Sequence, residues 1–313
     1  MKKALFLAAV TALVCLGCSK NNGNRSDSNG ENTDPNGGQK ENLTVKTAAA
    51  NLVLHLSFDD DKMVAAGEGV TLAGNKGQAA LGNGFIGKAW TNKGGANTAE
   101  AYSKFSLAAG NALTKMESFT FTVWAKLPKD KDAKGGIISF NGTGVEAIWP
   151  SFVFLFDNIS DIDLDDGSRV QAQQFNGRID FLTVEGKPAM WPNCASEIYN
   201  QKDEWFQLAR TYNAATGAWA NYANGLPVNS GEFLLGEEGN QKPGGPVNAA
   251  FAADCNAFYV GGWASRIEGK ATDSWQAYCP GSLDELRFYN KALAEDEILA
   301  LYKEEMAINA AQE

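Results

Sequence analysis

The sequence predicts an all-β protein, a two-sheet antiparallel sandwich with one short C-terminal helix. Short runs alternating between apolar and polar residues recur from residue 52 to residue 289. The 313 residues include 33 glycines and 17 phenylalanines, a composition suited to apolar strands joined by tight turns. One stretch, 294–303, has a clear helical period, and no internal repeat or linker interrupts 50–306. Many short strands plus one small helix add up to a sandwich rather than an α/β fold.

The elements are expected in the following order. Leu52 to Phe58 is a strand, stopped by Asp59, Asp60 and Asp61. Residues 70–81 are polar and glycine-containing and are expected as loop. Residues 84–89 are expected as a short strand between glycines. Ser118 to Lys126 is the clearest strand. By the period of two, Phe119, Phe121, Val123 and Ala125 share the core face. Trp124 falls on the opposite face, either under a loop or on an open sheet surface. Strands follow at 136–140, 151–156, 178–184, 204–212, 219–223, 257–261 and 283–289. Asn213 to Gly217 and Asn224-Gly225 read as hairpin turns, because Asn and Gly tolerate positive φ. The helix at 294–303 carries acids in its first turn, where the macrodipole favours them.

The ends of the chain bear on its compartment. Lys2 and Lys3 precede an apolar run from Ala4 to Leu16, a secretory signal too short for a stable transmembrane helix. Leu16-Gly17-Cys18-Ser19 resembles the lipobox of bacterial lipoproteins. The resemblance implies that Cys18 becomes the lipid-modified first residue of the mature chain. Residues from Ser19 to about Thr47 hold scarcely an apolar side chain and read as a disordered tether. The expected organisation is a signal peptide over 1–17, a lipidated tether over 18–48 and a sandwich domain over 49–313. The expected location is the cell envelope, lipid-anchored, at the outer membrane of a Gram-negative bacterium.

Charge narrows the function classes. The formal net charge of −10 argues against nucleic-acid binding. His55 is the single histidine, so any His-based mechanism would need it, and it lies in a strand as a structural residue would. Beyond the signal, three cysteines remain. Cys255 and Cys279 are the expected disulfide, closing a loop of about 25 residues; Cys194 is the alternative partner for either.

Several segments carry a family resemblance. Leu54-His55-Leu56-Ser57-Phe58-Asp59 resembles the opening strand of laminin G-like, pentraxin-like domains of the concanavalin A-like lectin/glucanase superfamily. Residues 84–89, 118–124, 205–212 with 222–225, and 258–262 are similar to successive family segments. Gly281-Ser282-Leu283-Asp284-Glu285-Leu286-Arg287-Phe288-Tyr289 is similar to the closing strand. The resemblance spans 52–302 and implies a jelly-roll sandwich. It leaves function open, because the fold hosts lectins, glycosidases and adhesion modules.

Three candidate sites follow. Asp161, Asp163 and Asp165 would share one face of a strand, resembling the acidic catalytic strand of the family's glucanases. Aspartates replace both expected glutamates, and Asp166-Gly167-Ser168 breaks the strand, so no catalytic residue is assigned. The bland reading is a solvated acidic loop. The second candidate is one structural Ca²⁺, which the resemblance places near the paired terminal strands, with Asp59 and Asp284 as ligands. Against it stands a turn-capping Asp59 and an Asp284 paired with a nearby arginine. The third is aromatic. Trp149, Trp191 and Trp275 lie in expected loops, and indole rings stack on the C–H faces of sugars; the alternative is that they anchor loops. The leading expectation is a lectin-like sandwich binding carbohydrate or another extracellular ligand, with membrane contact through the lipid. A glycoside hydrolase acting on a glucan-type polysaccharide and a non-catalytic structural or adhesion module are the alternatives.

Overall fold

The computed structural model describes residues 43–312 except 129–133, 144–149, 164–166, 168, 183–187, 191–195, 200–202, 236–241, 246–253 and 272. In chain order the strands are β1 (Leu52–Leu56), β2 (Val70–Gly77), β3 (Ala79–Asn83), β4 (Lys88–Asn92), β5 (Ala101–Leu107), β6 (Phe119–Lys126), β7 (Gly135–Thr143), β8 (Pro150–Asp163) and β9 (Arg169–Leu182). They continue as β10 (Pro188–Met190), β11 (Ser196–Tyr199), β12 (Trp205–Tyr212), β13 (Ala218–Ala223), β14 (Leu226–Glu232), β15 (Leu234–Leu235), β16 (Lys242–Pro243), β17 (Ala257–Val260) and β18 (Ser282–Tyr289). A short helix α1 (Ala264–Ile267) follows β17, and α2 (Glu295–Ala310) follows β18.

Two antiparallel sheets face each other. The first runs β14-β13-β12-β6-β18-β4-β3, with β1 also on β18; the second runs β10-β9-β8-β7-β17-β5-β2, with β11 also on β9. The all-β jelly-roll sandwich with its C-terminal helix is therefore what forms.

Alternation explains the core. Phe119, Phe121, Val123 and Ala125 of β6 point inward, as do Phe152, Phe154 and Phe156 of β8 and Phe258 and Val260 of β17. The rings interlock across the gap: Phe121 stacks on Phe154 at 4.4 Å between centroids and lies 5.0 Å from Phe288. Such pairs add about 0.5–1.5 kcal/mol each beyond area burial. A charge also enters this core. The Arg210 guanidinium lies 5.2 Å from the rings of both Phe154 and Phe175. Its Nε donates to Asn221 Oδ1 at 2.6 Å. A Cβ at Gly177 would lie 2.3 Å from its Nη1, which fixes glycine at that position.

The structure corrects several sequence readings. Residues 70–81, expected as loop, form β2 and part of β3 at the margins of the two sheets. Marginal strands bury only one face poorly, so their alternation is faint. The strand expected over 84–89 is a turn followed by β4. Gly87 takes φ 59, and Asp284 Oδ2 accepts the N–H groups of Phe85 and Ile86 at 2.8 and 2.9 Å. The C-terminal helix runs seven residues past the expected Lys303, to Ala310. Trp124 lies on the outer face, as expected, and is covered twice: Phe85 of the Gly84–Lys88 turn stacks on it, and α2 packs beside them.

The expected Cys255–Cys279 bridge is not formed; both are free thiols. Cys255 precedes β17, whereas the Cys279 N–H donates to Gly261 O just past its other end. At about 3.3 Å per residue, that strand holds the two apart by far more than the roughly 7 Å a disulfide allows between Cα atoms. Burial pushes the Cys279 thiol up to about 12. Cys194 and Cys18 lie outside the described residues.

Candidate functional site

The outer face of the second sheet carries the most promising cluster. Tyr102 and Lys104 alternate with the core residues Ala101, Phe105 and Leu107 along β5, so they point outward. Tyr259 of β17 is the cross-strand neighbour of Lys104 and also points outward. The 5.8 Å edge contact of Tyr102 with Tyr259 and the 6.3 Å near-parallel contact of Tyr102 with Tyr278 join three chain segments.

Helix α1 borders this cluster. The Ala264 N–H donates to Ser139 Oγ, and Ser139 Oγ donates to Gly262 O, fastening the helix start to β7. Trp263 packs beneath it on Val153 and Leu155. Trp275, 41% exposed, meets the Trp263 ring edge-on at 5.2 Å. The Arg266 guanidinium lies 5.2 Å from the Tyr278 ring, and its Nη1 donates to Gln276 O at 2.8 Å. Arg266, Tyr278, Tyr102 and Tyr259 thus form one chain of contacts, with Trp275 at its border next to Gln276; Tyr102 is its half-exposed ring, while Tyr259 and Tyr278 are buried.

Its polar wiring is internally satisfied. Glu268 Oε1 accepts from Asn141 Nδ2 and from the Tyr259 hydroxyl, each at 2.9 Å, and Oε2 lies 3.1 Å from Lys270 Nζ. Partial burial works to raise the Glu268 carboxyl, but these donors hold it below the usual range. Burial and the adjoining Glu268 drive the Tyr259 hydroxyl far above its ordinary value. Such a surface is pre-organised: a ligand meets rings and cations whose positions are already fixed.

The remaining sequence candidates fall elsewhere. Trp149 and Trp191 lie outside the described residues, so Trp275 alone of that trio is placed here. Asp161 and Asp163 sit at the far end of β8, opposite Gln171 and Arg169 of β9; Asp165 lies outside the described residues. Asp59 and Asp284 both hold the Gly84–Lys88 turn. Asp59 Oδ1 accepts the Lys88 N–H at 3.0 Å. Asp284 Oδ2 takes two N–H donors, and its Oδ1 accepts the Glu285 N–H at 2.8 Å.

That arrangement does not fit Ca²⁺. Three lone pairs of Asp284 already face N–H donors, and burial together with Glu285 pushes its carboxyl well above the usual range. Calcium needs several oxygens with lone pairs to spare, and those of Asp284 are taken up by the backbone. Among the described residues, no three His, Cys, Asp or Glu side chains converge to hold a metal.

The arginine expected beside Asp284 pairs with other acids. Arg287 donates from Nη1 to Glu305 Oε1 and from Nη2 to Glu285 Oε2. His55 Nε2 lies 2.9 Å from Glu285 Oε2. Burial works to lower the Arg287 pKa, but Glu305 and Glu285 hold it above its ordinary value. His55 is a structural residue within this chain of charges. Tyr102, Arg266 and Glu268 escaped the sequence reading. The period-two run Ala101-Tyr102-Ser103-Lys104-Phe105 was the available signal for β5.

Comparisons with known proteins concern the fold. The family model described as the concanavalin A-like lectin/glucanases superfamily matches residues 97–299. Domain 4 of AbnA, a GH43 extracellular arabinanase from Geobacillus stearothermophilus, is known in complex with arabinotriose. It is 21% identical, with a TM-score of 0.44, over 80% of this chain and 98% of that one. The binding domain of Paraclostridial Mosquitocidal Protein 1 is 15% identical, with a TM-score of 0.48, over 81% of this chain and 52% of that one. The receptor binding domain of the botulinum neurotoxin mosaic serotype C/D is 13% identical, with a TM-score of 0.47, over 81% and 50%. The chain spans about half the length of these two toxin domains. A search of curated proteins finds no match. The family model covers well over half of the sequence, and its residues form the sandwich just described: the chain belongs to the concanavalin A-like lectin/glucanases superfamily.

Proposed function

We propose that this protein is a lipid-anchored component of the cell envelope that binds glycan through its lectin-like sandwich. The observation that carries the reading is the patch on the second sheet: a half-exposed Trp275 and the Tyr102 ring, flanked by Arg266 and Lys104, on a scaffold held by Glu268 and Asn141. Aromatic faces take up sugar C–H surfaces, while the surrounding polar groups fix orientation. Partial exposure is what a platform needs; a loop anchor would be covered.

The anchor reading is supported by the Lys2-Lys3 start, the short apolar run and the lipobox-like residues ending at Cys18. Among the described residues, no helix is long and apolar enough to cross a membrane. Acyl chains on Cys18 would supply attachment, since two or more chains hold far more firmly than one. The Cys18→Ser protein should then leave the membrane fraction while keeping its fold. A mutant that still partitions with membranes rejects the lipidation.

A glycan array probed with the full chain in detergent tests the binding. Trp275→Ala should weaken any hit by about 1–3 kcal/mol, as loss of a stacking hot spot does. An array with no hits, or hits indifferent to Trp275→Ala and Tyr102→Ala, rejects this site.

A further inference from the structure

The charges of the patch are not evenly committed, and this narrows the ligand. Its acid, Glu268, is consumed internally by Asn141, Tyr259 and Lys270. Its cations are engaged less fully and by uncharged groups. Arg266 presents a fork of five N–H donors. One of them is directed to Gln276 O while the guanidinium rests near the Tyr278 ring. Lys104 Nζ stands 5.7 Å from the centre of the Tyr259 ring. Both cations are only partly covered. Two cations over a tyrosine floor run against a chain whose net charge is −10.

We infer that the patch takes an oligosaccharide carrying several uronic acid residues, with its sugar rings against Tyr102 and Trp275 and their separate carboxylates toward Arg266 and Lys104. This rests on the glycan-binding reading above. A carboxylate matches the guanidinium fork in geometry as well as charge, and such hydrogen bonds are about twice as strong as neutral ones. A neutral sugar would use the rings but bring no opposite charge to either cation. One group opposes the ligand. Glu100, exposed immediately before β5, lies near enough to raise the hydroxyl pKa values of Tyr102 and Tyr278 behind their own burial. It repels a carboxylate at the rim and therefore sets a ceiling on affinity.

Titration calorimetry of the full chain with oligogalacturonides, with alginate oligomers and with the same oligomers after carboxyl reduction tests this. At least one acidic series should bind, and its reduced, neutral form should bind about tenfold or more weakly, since hydrogen bonds to charged groups contribute about 1.5–3 kcal/mol. Arg266→Gln should abolish the preference for the acidic form. Glu100→Gln alters only an exposed rim residue and should tighten acidic binding several-fold while leaving reduced oligomers unchanged. Equal binding of acidic and reduced oligomers, or hits confined to neutral glycans on the array, overturns the inference and leaves glycan binding standing. No hit on the array or in the calorimeter overturns both.

Discussion

The two outer faces of this sandwich solve opposite problems. On the first sheet, α2 lies across the strands and shuts out water. Ile298 and Leu301 pack with Ala209, Tyr222 and Tyr289. Trp124, only 2% exposed, stacks on Phe85 and donates from Nε1 to Glu305 Oε2 at 2.6 Å. On the second sheet a four-residue helix covers one corner, and beside it Tyr102, Lys104 and Arg266 stay half-exposed over the buried Tyr259 and Tyr278. Two tryptophans show the contrast. Trp124 has its indole N–H satisfied by a buried carboxylate, whereas Trp275 packs at right angles to Trp263 and is 41% exposed. A face closed by buried charge is a structural face; a face with rings left uncovered is available for binding.

The closed face offers the largest effect. Glu305 is fully buried and accepts from Trp124 Nε1, from Gln207 Nε2 at 2.5 Å and from Arg287. Burial lifts its carboxyl to about 7 against the pull of Arg287. Removing one partner of a buried pair strands the other, at about 3–5 kcal/mol. Glu305→Ala should therefore lower the melting temperature steeply, and the helix should lose protection in hydrogen exchange. A variant that melts like the parent would mean that α2 is not held by this charge. Trp275→Ala makes the sharper half of the comparison. It should cost less than about 1 kcal/mol in stability, because the ring is already partly wet, whereas a core tryptophan costs about 3–5. A large drop in its melting temperature would place Trp275 with Trp124, as an anchor.

Legibility follows the same division. The β6 alternation could be read directly because one face of that strand is wholly apolar. The β12 and β18 strands were readable for the same reason. The β2 strand was not, since its apolar alternation, Val70 and Leu72 against the core, gives way after two residues to Gly74, Asn75, Lys76 and Gly77. Trp124 was placed on the correct face, but its cover could not be foreseen. The end of α2 reads as Ala, Ile and Asn, without an amphipathic stripe that continues past Lys303. The patch was least legible of all. Tyr102, Tyr259 and Tyr278 come from three separate segments, which the β5–β17 pairing and the backbone contacts of Tyr278 with Gly136 and Asn97 bring together. Single loop tryptophans attract notice in a sequence; a tyrosine cluster assembled by sheet register does not.

The smallest effect separates the two faces by pH. His55 sits at the outer end of the buried charges, with Nε2 2.9 Å from Glu285, while Arg287 and Asp59 also act on it. Burial and the positive Arg287 lower its pKa below 6.5, and the attraction of Glu285 and Asp59 does not fully offset them. The folded state therefore binds fewer protons than the unfolded chain between the lowered folded pKa and 6.5. In that window stability falls as pH falls, because unfolding takes up the proton that folding excludes. Above 6.5 the histidine is neutral in both states and contributes no slope. Glu305, its carboxyl lifted to about 7, takes up a proton more readily in the folded state and so works the other way over the same range. The His55 contribution is therefore read as a difference: urea midpoints of the parent should fall relative to those of His55→Gln as pH drops below 6.5, and run parallel to them above it. Binding at the Tyr102–Trp275 patch, on the other sheet, should not follow the His55 step while the protein remains folded. An identical pH profile in parent and His55→Gln would show that His55 titrates alike in the folded and unfolded chain, and a binding curve that tracked the His55 step would show that the two faces are coupled.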